Sequence, residues 1–205
     1  MTRIMLTLAT ALLLPGTATW DARVSSWLAG NRSDWLTAAM QAVTVLGSGW
    51  VAFPLLLGCA AWLGPRAARA GRWRDAVVLG AVAGGTALVV QILKALLARP
   101  RPDVADALTT AVGYAFPSGH ATQAAVVYGL IAWLAVRRWP ARRLPIWLGA
   151  AALAGLIGFS RLYLGVHWLS DVLAGYLLAG FVLVLAQAST RKRRVSPGQT
   201  PAPMS

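Results

Sequence analysis

Apolar and polar positions fall in long blocks along this chain. Six stretches stay apolar for most of a helix's length: about 4–19, 49–64, 76–97, 118–136, 144–160 and 168–188. Runs of this kind predict helices that cross a bilayer. The expected fold class is all-α, a polytopic membrane protein built as a six-transmembrane-helix bundle. The first stretch has two readings. With Arg3 in front and small residues behind, it fits a signal peptide. As a short first span it completes the downstream topology, and Trp20 suits an interface. The span is the expectation carried forward. Residues 20–46 have a different pattern, in which Trp20, Trp27 and Trp35 alternate with Asp21, Arg23, Arg32 and Asp34. That predicts an amphipathic segment lying in the interface. Gly47-Ser48-Gly49 interrupts it. Gly80, Gly84 and Gly85 in the third span fit close helix packing. Residues 1–188 therefore read as one membrane-embedded domain, and the Pro/Ser/Gly-rich residues 189–205 as a disordered tail.

Charge sharpens this picture. With 58% hydrophobic and only 12% charged residues, the chain is too apolar for an ordinary soluble domain. A net charge of +13 would point a soluble protein toward nucleic acid. Here the basic residues cluster between apolar runs, so the expected partner is the bilayer and not nucleic acid. Arg66, Arg69, Arg72 and Arg74 form one cluster, and Arg137, Arg138, Arg142 and Arg143 a second. Arg191, Lys192, Arg193 and Arg194 open the tail. With six crossings these clusters share one side, which the positive-inside rule makes cytoplasmic. Both termini are then cytoplasmic, and the 98–117 loop and the Ser160–Asp171 stretch face outward. The single cysteine, Cys59, lies in an apolar run and offers neither a disulfide nor a metal cluster. Nothing in the pattern sets an oligomeric state.

Chemistry collects on the outward side. Ser160–Asp171 carries Arg161, His167 and Asp171. If the chain is helical from His167 onward, His167 and Asp171 share a face. A carboxylate there accepts the Nδ1 proton and leaves Nε2 as an oriented nucleophile or base. Arg161 adds a planar fork suited to phosphate. An isolated pair of this kind also reads as a polar loop between two helices. Upstream, Pro100 and Pro102 push Arg99 and Arg101 out of helical geometry. Lys94 then ends a helix, Arg101 rides on an extended strip, and both can face one anion. By themselves they read as a snorkelling lysine, with Arg99 and Arg101 on lipid phosphate. Pro117-Ser118-Gly119-His120 opens the fourth span. Its first-turn N–H groups make an anion site, and Gly119 admits a close approach. A plain helix cap is the other reading. Taken together, cations, neutral donors and two histidines supply what phosphoryl transfer requires. The carboxylates are few and unpaired, so no metal is expected.

At this point the residues match a family. Lys94, six residues, Arg101-Pro102, then Pro117-Ser118-Gly119-His120, then Ser160-Arg161, five residues, His167, three residues, Asp171 resembles the three-part signature of the type 2 phosphatidic acid phosphatase superfamily. The resemblance covers about residues 20–188, with no departure at any signature position. It implies that His167 attacks phosphorus to form a phosphohistidine and that Asp171 orients it. His120 would protonate the leaving alkoxide and then activate water. Lys94, Arg101, Ser118, Gly119 and Arg161 would hold the phosphate oxygens, without metal or cofactor. The implied protein is a lipid phosphate phosphatase of the bacterial cytoplasmic membrane, its site facing the exterior or periplasm. Vanadium haloperoxidases share the signature but are soluble bundles, so six spans argue against that branch. A non-catalytic anion-binding or transport protein is the alternative, and it leaves the His120, His167 and Asp171 set without a purpose. Phosphatidic acid, phosphatidylglycerol phosphate, undecaprenyl diphosphate and lipid A phosphates all remain compatible substrates.

Overall fold

The structure, a computed structural model, describes residues 15–63, 69–102 and 107–192. All regular structure among them is helical: α1 Pro15–Gly30, α2 Asp34–Val45, α3 Gly49–Leu63, α4 Arg69–Leu97, α5 Gly119–Arg138, α6 Arg143–Tyr163 and α7 Leu169–Lys192. A short 3₁₀ turn, Pro140–Arg142, joins α5 to α6.

Four segments are long and apolar enough to cross a bilayer: Val77–Leu97, Gly119–Arg138, Pro140–Tyr163 and Leu169–Gln187. They match the expected spans from 76 onward to within a few residues. The span expected at 49–64 is α3, which at 15 residues is short for a bilayer. It reaches span length together with α2, across a 52° bend. Residues 34–45 are thus apolar enough to form one arm of a broken span, whereas the sequence reading laid them wholly in the interface. The described residues carry four spans, or five if the bent pair counts as one. The first expected span lies outside the described residues as far as position 14, and 15–19 belong to α1.

Helix α5 occupies the centre and packs against α3, α4, α6 and α7. The largest core cluster joins Ala52 and Leu56 of α3, Leu79 and Ala83 of α4, Val126, Val127 and Leu130 of α5, and Ala179 of α7. Close approaches occur where a side chain is missing. A Cβ on Gly158 of α6 would come 1.9 Å from the Tyr176 hydroxyl, and one on Gly129 of α5 2.6 Å from Leu183 Cδ1. The expected glycine set fails this test. Gly84 and Gly85 have nothing within 4 Å, and Gly80 only Leu57 at 3.6 Å. Both Gly84 and Gly85 are exposed on α4, so they face no helix crossing among the described residues.

Helix α1 separates its aromatic and acidic residues. Trp20 and Trp27 are 62% and 64% exposed, while Asp21 is 2% exposed. Exposed indoles suit the headgroup layer. The inward carboxylate belongs to the site described next.

Candidate active site

Three short stretches meet at one end of the bundle. Helix α4 stops at Leu97, and Ala98 takes the left-handed φ of 44° that often ends a helix. Arg99 and Arg101, each before a proline, then run outside helical geometry. Helix α5 starts at Gly119 with Ser118 at its N-cap. Between α6 and α7 the chain reverses at Gly165, φ 72°, and delivers His167 just before α7 begins.

His167 precedes the helix, so its pairing with Asp171 spans the helix start and does not lie along a helix face. Its Nδ1 stands 3.3 Å from Asp171 Oδ2. The same oxygen accepts the Trp168 backbone N–H at 2.8 Å, which fixes the carboxylate. With the Nδ1 proton directed at Asp171, Nε2 carries the lone pair. That atom lies 3.3 Å from Arg101 Nη1. Burial pulls the His167 pKa down to about 4, against the raising effect of Asp171. The ring is therefore neutral at pH 7, as a nucleophile requires.

Lys94 and Arg101 converge on one oxygen. Lys94 Nζ and Arg101 Nη2 both donate to the Tyr114 carbonyl, the latter at 3.2 Å. Arg101 also donates to the carbonyls of Val112, Gly113 and Val166, at 3.0, 2.8 and 2.6 Å. Burial lowers the Arg101 pKa and Asp171 counters it. The guanidinium remains charged at neutral pH.

Ser118 is fully buried and donates its backbone N–H to the Asp171 carbonyl at 3.0 Å, tying α5 to α7. A glycine makes this possible: a Cβ on Gly175 would come 3.1 Å from the Ser118 carbonyl and 2.8 Å from Thr122 Oγ1. Arg161, 4% exposed, donates from Nη1 to Thr44 Oγ1 at 2.7 Å. Ser118 Oγ and Arg161 Nε are buried and have no hydrogen-bond partner among the described residues. An unmet buried donor costs on the order of 1–3 kcal/mol, so both favour an incoming acceptor such as a phosphate oxygen. Gly119 and His120 form the first turn of α5, whose N–H groups have no helical acceptor by position. The His120 ring packs beside Gly47, where a Cβ would lie 3.3 Å from His120 Cδ2. Arg161, His167, Lys94 and Arg101 all act on it electrostatically. Among the described residues, no three His, Cys, Asp or Glu side chains gather as metal ligands.

Four participants escaped the sequence reading. Arg99, assigned there to lipid phosphate, turns inward instead. Its Nη1 donates to Asp171 Oδ1 at 2.6 Å and Ser170 Oγ at 2.7 Å, and its Nη2 to Asp21 Oδ2 at 2.7 Å. Two buried carboxylates draw the guanidinium away from the surface. Asp21, Ser170 and Thr44 complete the group. The doubled Arg-Pro of residues 99–102 was the one local signal for Arg99. For Asp21 it was a buriable acid among only six acidic residues in the chain.

Comparison with known proteins identifies the family. The family model described as the PAP2 superfamily matches residues 75–194, more than half the chain. Phosphatidylglycerophosphatase B of Bacillus subtilis (strain 168) is 31% identical over 192 residues, covering 91% of each chain. An undecaprenyl-diphosphatase of Sulfolobus acidocaldarius is 36% identical over 74 residues, 36% of this chain and 32% of that protein. Among solved structures, the transmembrane PAP2-type phosphatidylglycerolphosphate phosphatase of Bacillus subtilis superposes with a TM-score of 0.83 at 31% identity, covering 93% of this chain and 94% of the other. Aquifex aeolicus LpxE shares the fold alone, with a TM-score of 0.67 at 23% identity over 82% of this chain and 95% of the other. A matching family model over the signature, and a relative matched along nine-tenths of both chains, lead to one conclusion: the chain belongs to the PAP2 superfamily.

Proposed function

We propose that this protein hydrolyses a lipid phosphomonoester of the phosphatidylglycerol phosphate type at the outer face of a bacterial cytoplasmic membrane, through a phosphohistidine. One observation carries the reading: the His167 ring sits with Nδ1 3.3 Å from Asp171 Oδ2 and Nε2 3.3 Å from the Arg101 guanidinium. The relatives add the enzyme class, since those matched are named as phosphatases of lipid phosphates. The substrate follows the relative that matches along nearly the whole chain.

The chemistry runs in two steps. The Nε2 lone pair attacks phosphorus while the bond to the lipid alcohol oxygen breaks, and His120 gives that oxygen its proton. Lys94, Arg101, Arg161, Ser118 Oγ and the Gly119 N–H stabilise the charge spread over the equatorial oxygens. Water then yields a proton to His120 and attacks phosphorus. The P–N bond breaks, His167 is restored neutral, and inorganic phosphate leaves. No step uses a metal.

Phosphate release by purified protein from a panel of lipid phosphates, in excess chelator, tests this. Phosphatidylglycerol phosphate should turn over, and faster than undecaprenyl diphosphate. Faster release from the diphosphate would move the substrate assignment. Binding of every lipid phosphate without release would leave the anion-binding alternative standing.

Orientation belongs to the same proposal. Six spans, counting residues 4–19 as the first, place both termini in the cytoplasm. In a background with Cys59→Ala, cysteine at the 95% exposed Val112 should react with an impermeant reagent in intact cells. Reaction only after lysis would invert the topology.

A further inference from the structure

Asp171 does not hold His167 alone. Its second oxygen is occupied by Arg99, and Arg99 reaches on to Asp21 of α1, far away in sequence. We propose that Arg99 and Asp21 are positioning residues that set the place and acceptor strength of Asp171, and through it those of His167, making α1 part of the catalytic apparatus. The proposal rests on His167 being the nucleophile, as argued above.

The network is closed on itself. Arg99 Nη1 donates to Asp171 Oδ1 and to Ser170 Oγ, and Nη2 donates to Asp21 Oδ2. Ser170 Oγ donates to Asp21 Oδ2 at 2.5 Å, and the Ser170 backbone N–H to Asp21 Oδ1 at 2.9 Å. Asp171 is 0% and Asp21 2% exposed. Two buried carboxylates need a cation between them, and removing it leaves both uncompensated. Only a guanidinium has two arms fixed in one plane to serve both. The Phe116 and Trp168 rings, with centroids 6.0 and 5.9 Å from the guanidinium carbon, help confine it.

A purely structural brace would also dock α1 against α7. The difference lies in the charge that reaches His167. Asp171 shares its negative charge between Arg99 at Oδ1 and His167 at Oδ2. Neutralising Arg99 makes Asp171 a stronger acceptor for the imidazole, so His167 holds a proton to higher pH. Neutralising Asp21 leaves more of the Arg99 charge for Asp171, so His167 loses its proton at lower pH. The two variants therefore shift the acidic limb in opposite directions. The other charged or titratable groups facing His167 are Asp171 of α7, Arg101 of the loop after α4, Arg161 of α6 and His120 of α5, and none is altered.

The test compares Arg99→Gln, Arg99→Lys and Asp21→Asn in the full chain. In Arg99→Gln the acidic limb of kcat/KM should rise by about one pH unit. Its kcat should fall on the order of tenfold to a hundredfold, since the nucleophile is displaced, with KM little changed. Arg99→Lys should restore the limb and only part of kcat. Asp21→Asn, nearly isosteric, should move the limb downward by less. A second readout does not depend on turnover. The chain has two histidines, so nitrogen-15 NMR can assign each by substituting the other. The His167 Nδ1–H resonance should move in Arg99→Gln and return toward its original position in Arg99→Lys. An unmoved limb and an unmoved His167 resonance in folded Arg99→Gln and Asp21→Asn overturn the inference. Failure of the wild-type protein to release phosphate from any lipid phosphate overturns the proposed function instead, and the resonance still decides the positioning role.

Discussion

Replacing His167 with alanine should abolish turnover of every phosphate ester, lipid or aryl, and no phosphoenzyme should be trapped. The loss should be on the order of 10⁴-fold or more, as for other removed nucleophiles. The geometry explains why nothing substitutes. Asp171 lies behind the ring and is engaged by Arg99, Trp168 and His167 itself. Ser118 Oγ is buried, and no base among the described residues is bonded to it. Water could attack phosphate held by Lys94, Arg101 and Arg161, but such a reaction forms no covalent intermediate. Rapid-quench labelling with a ³²P-labelled lipid phosphate, with acid-lability and base-stability of the label checked, reads this directly. Base-stable label on His167→Ala would assign the nucleophile to another residue.

Replacing His120 with alanine should have a large effect that depends on the leaving group. A lipid alkoxide leaves poorly without a proton, so lipid esters should slow by roughly 10²–10⁴-fold, the usual contribution of a general acid. An aryl phosphate, whose leaving group needs little protonation, should lose less in its first step. The second step loses its base for either substrate, so phosphoenzyme should accumulate in His120→Ala with an aryl phosphate, whose first step is the less impaired. The stopped enzyme would then be labelled while the His167 variant is bare. Equal losses on lipid and aryl esters, with no label retained, would remove His120 from the acid role.

The resemblance that implies these roles could be recognised because the signature is local. Lys94 to Arg101, Pro117 to His120 and Arg161 to Asp171 are each short stretches whose order and gaps carry the chemistry. The four spans from residue 76 onward were legible for the same reason, since apolar runs repeat over one helix length. Contacts between distant stretches were not legible. Arg99 and Asp21 are 78 positions apart and Arg161 and Thr44 117 apart, and no periodicity links them. Residues 20–46 read as an interfacial segment because tryptophan and charge alternate there. Two inward residues of that segment, Asp21 and Thr44, serve the site. Gly80, Gly84 and Gly85 show a related limit: spacing reveals a stripe of small residues but not the direction it faces, and Gly84 and Gly85 face away from the other described helices.

The signature and its supports have different reach along the chain. The matched family region begins at residue 75 and contains every signature residue from Lys94 to Asp171. A fragment cut there would pass inspection as intact. It would nonetheless leave Arg99 one carboxylate short and Arg161 without its threonine. It would also strip Tyr163, at the end of α6, of its bonds to Ser33 and Thr37. The first two losses fall on residues beside the histidines, and Gly47, which packs against the His120 ring, is lost with them. If Arg99 and Asp21 position Asp171 as proposed, the first two helices are a long-range splint, and the smallest functional unit of this protein is larger than its recognisable motif.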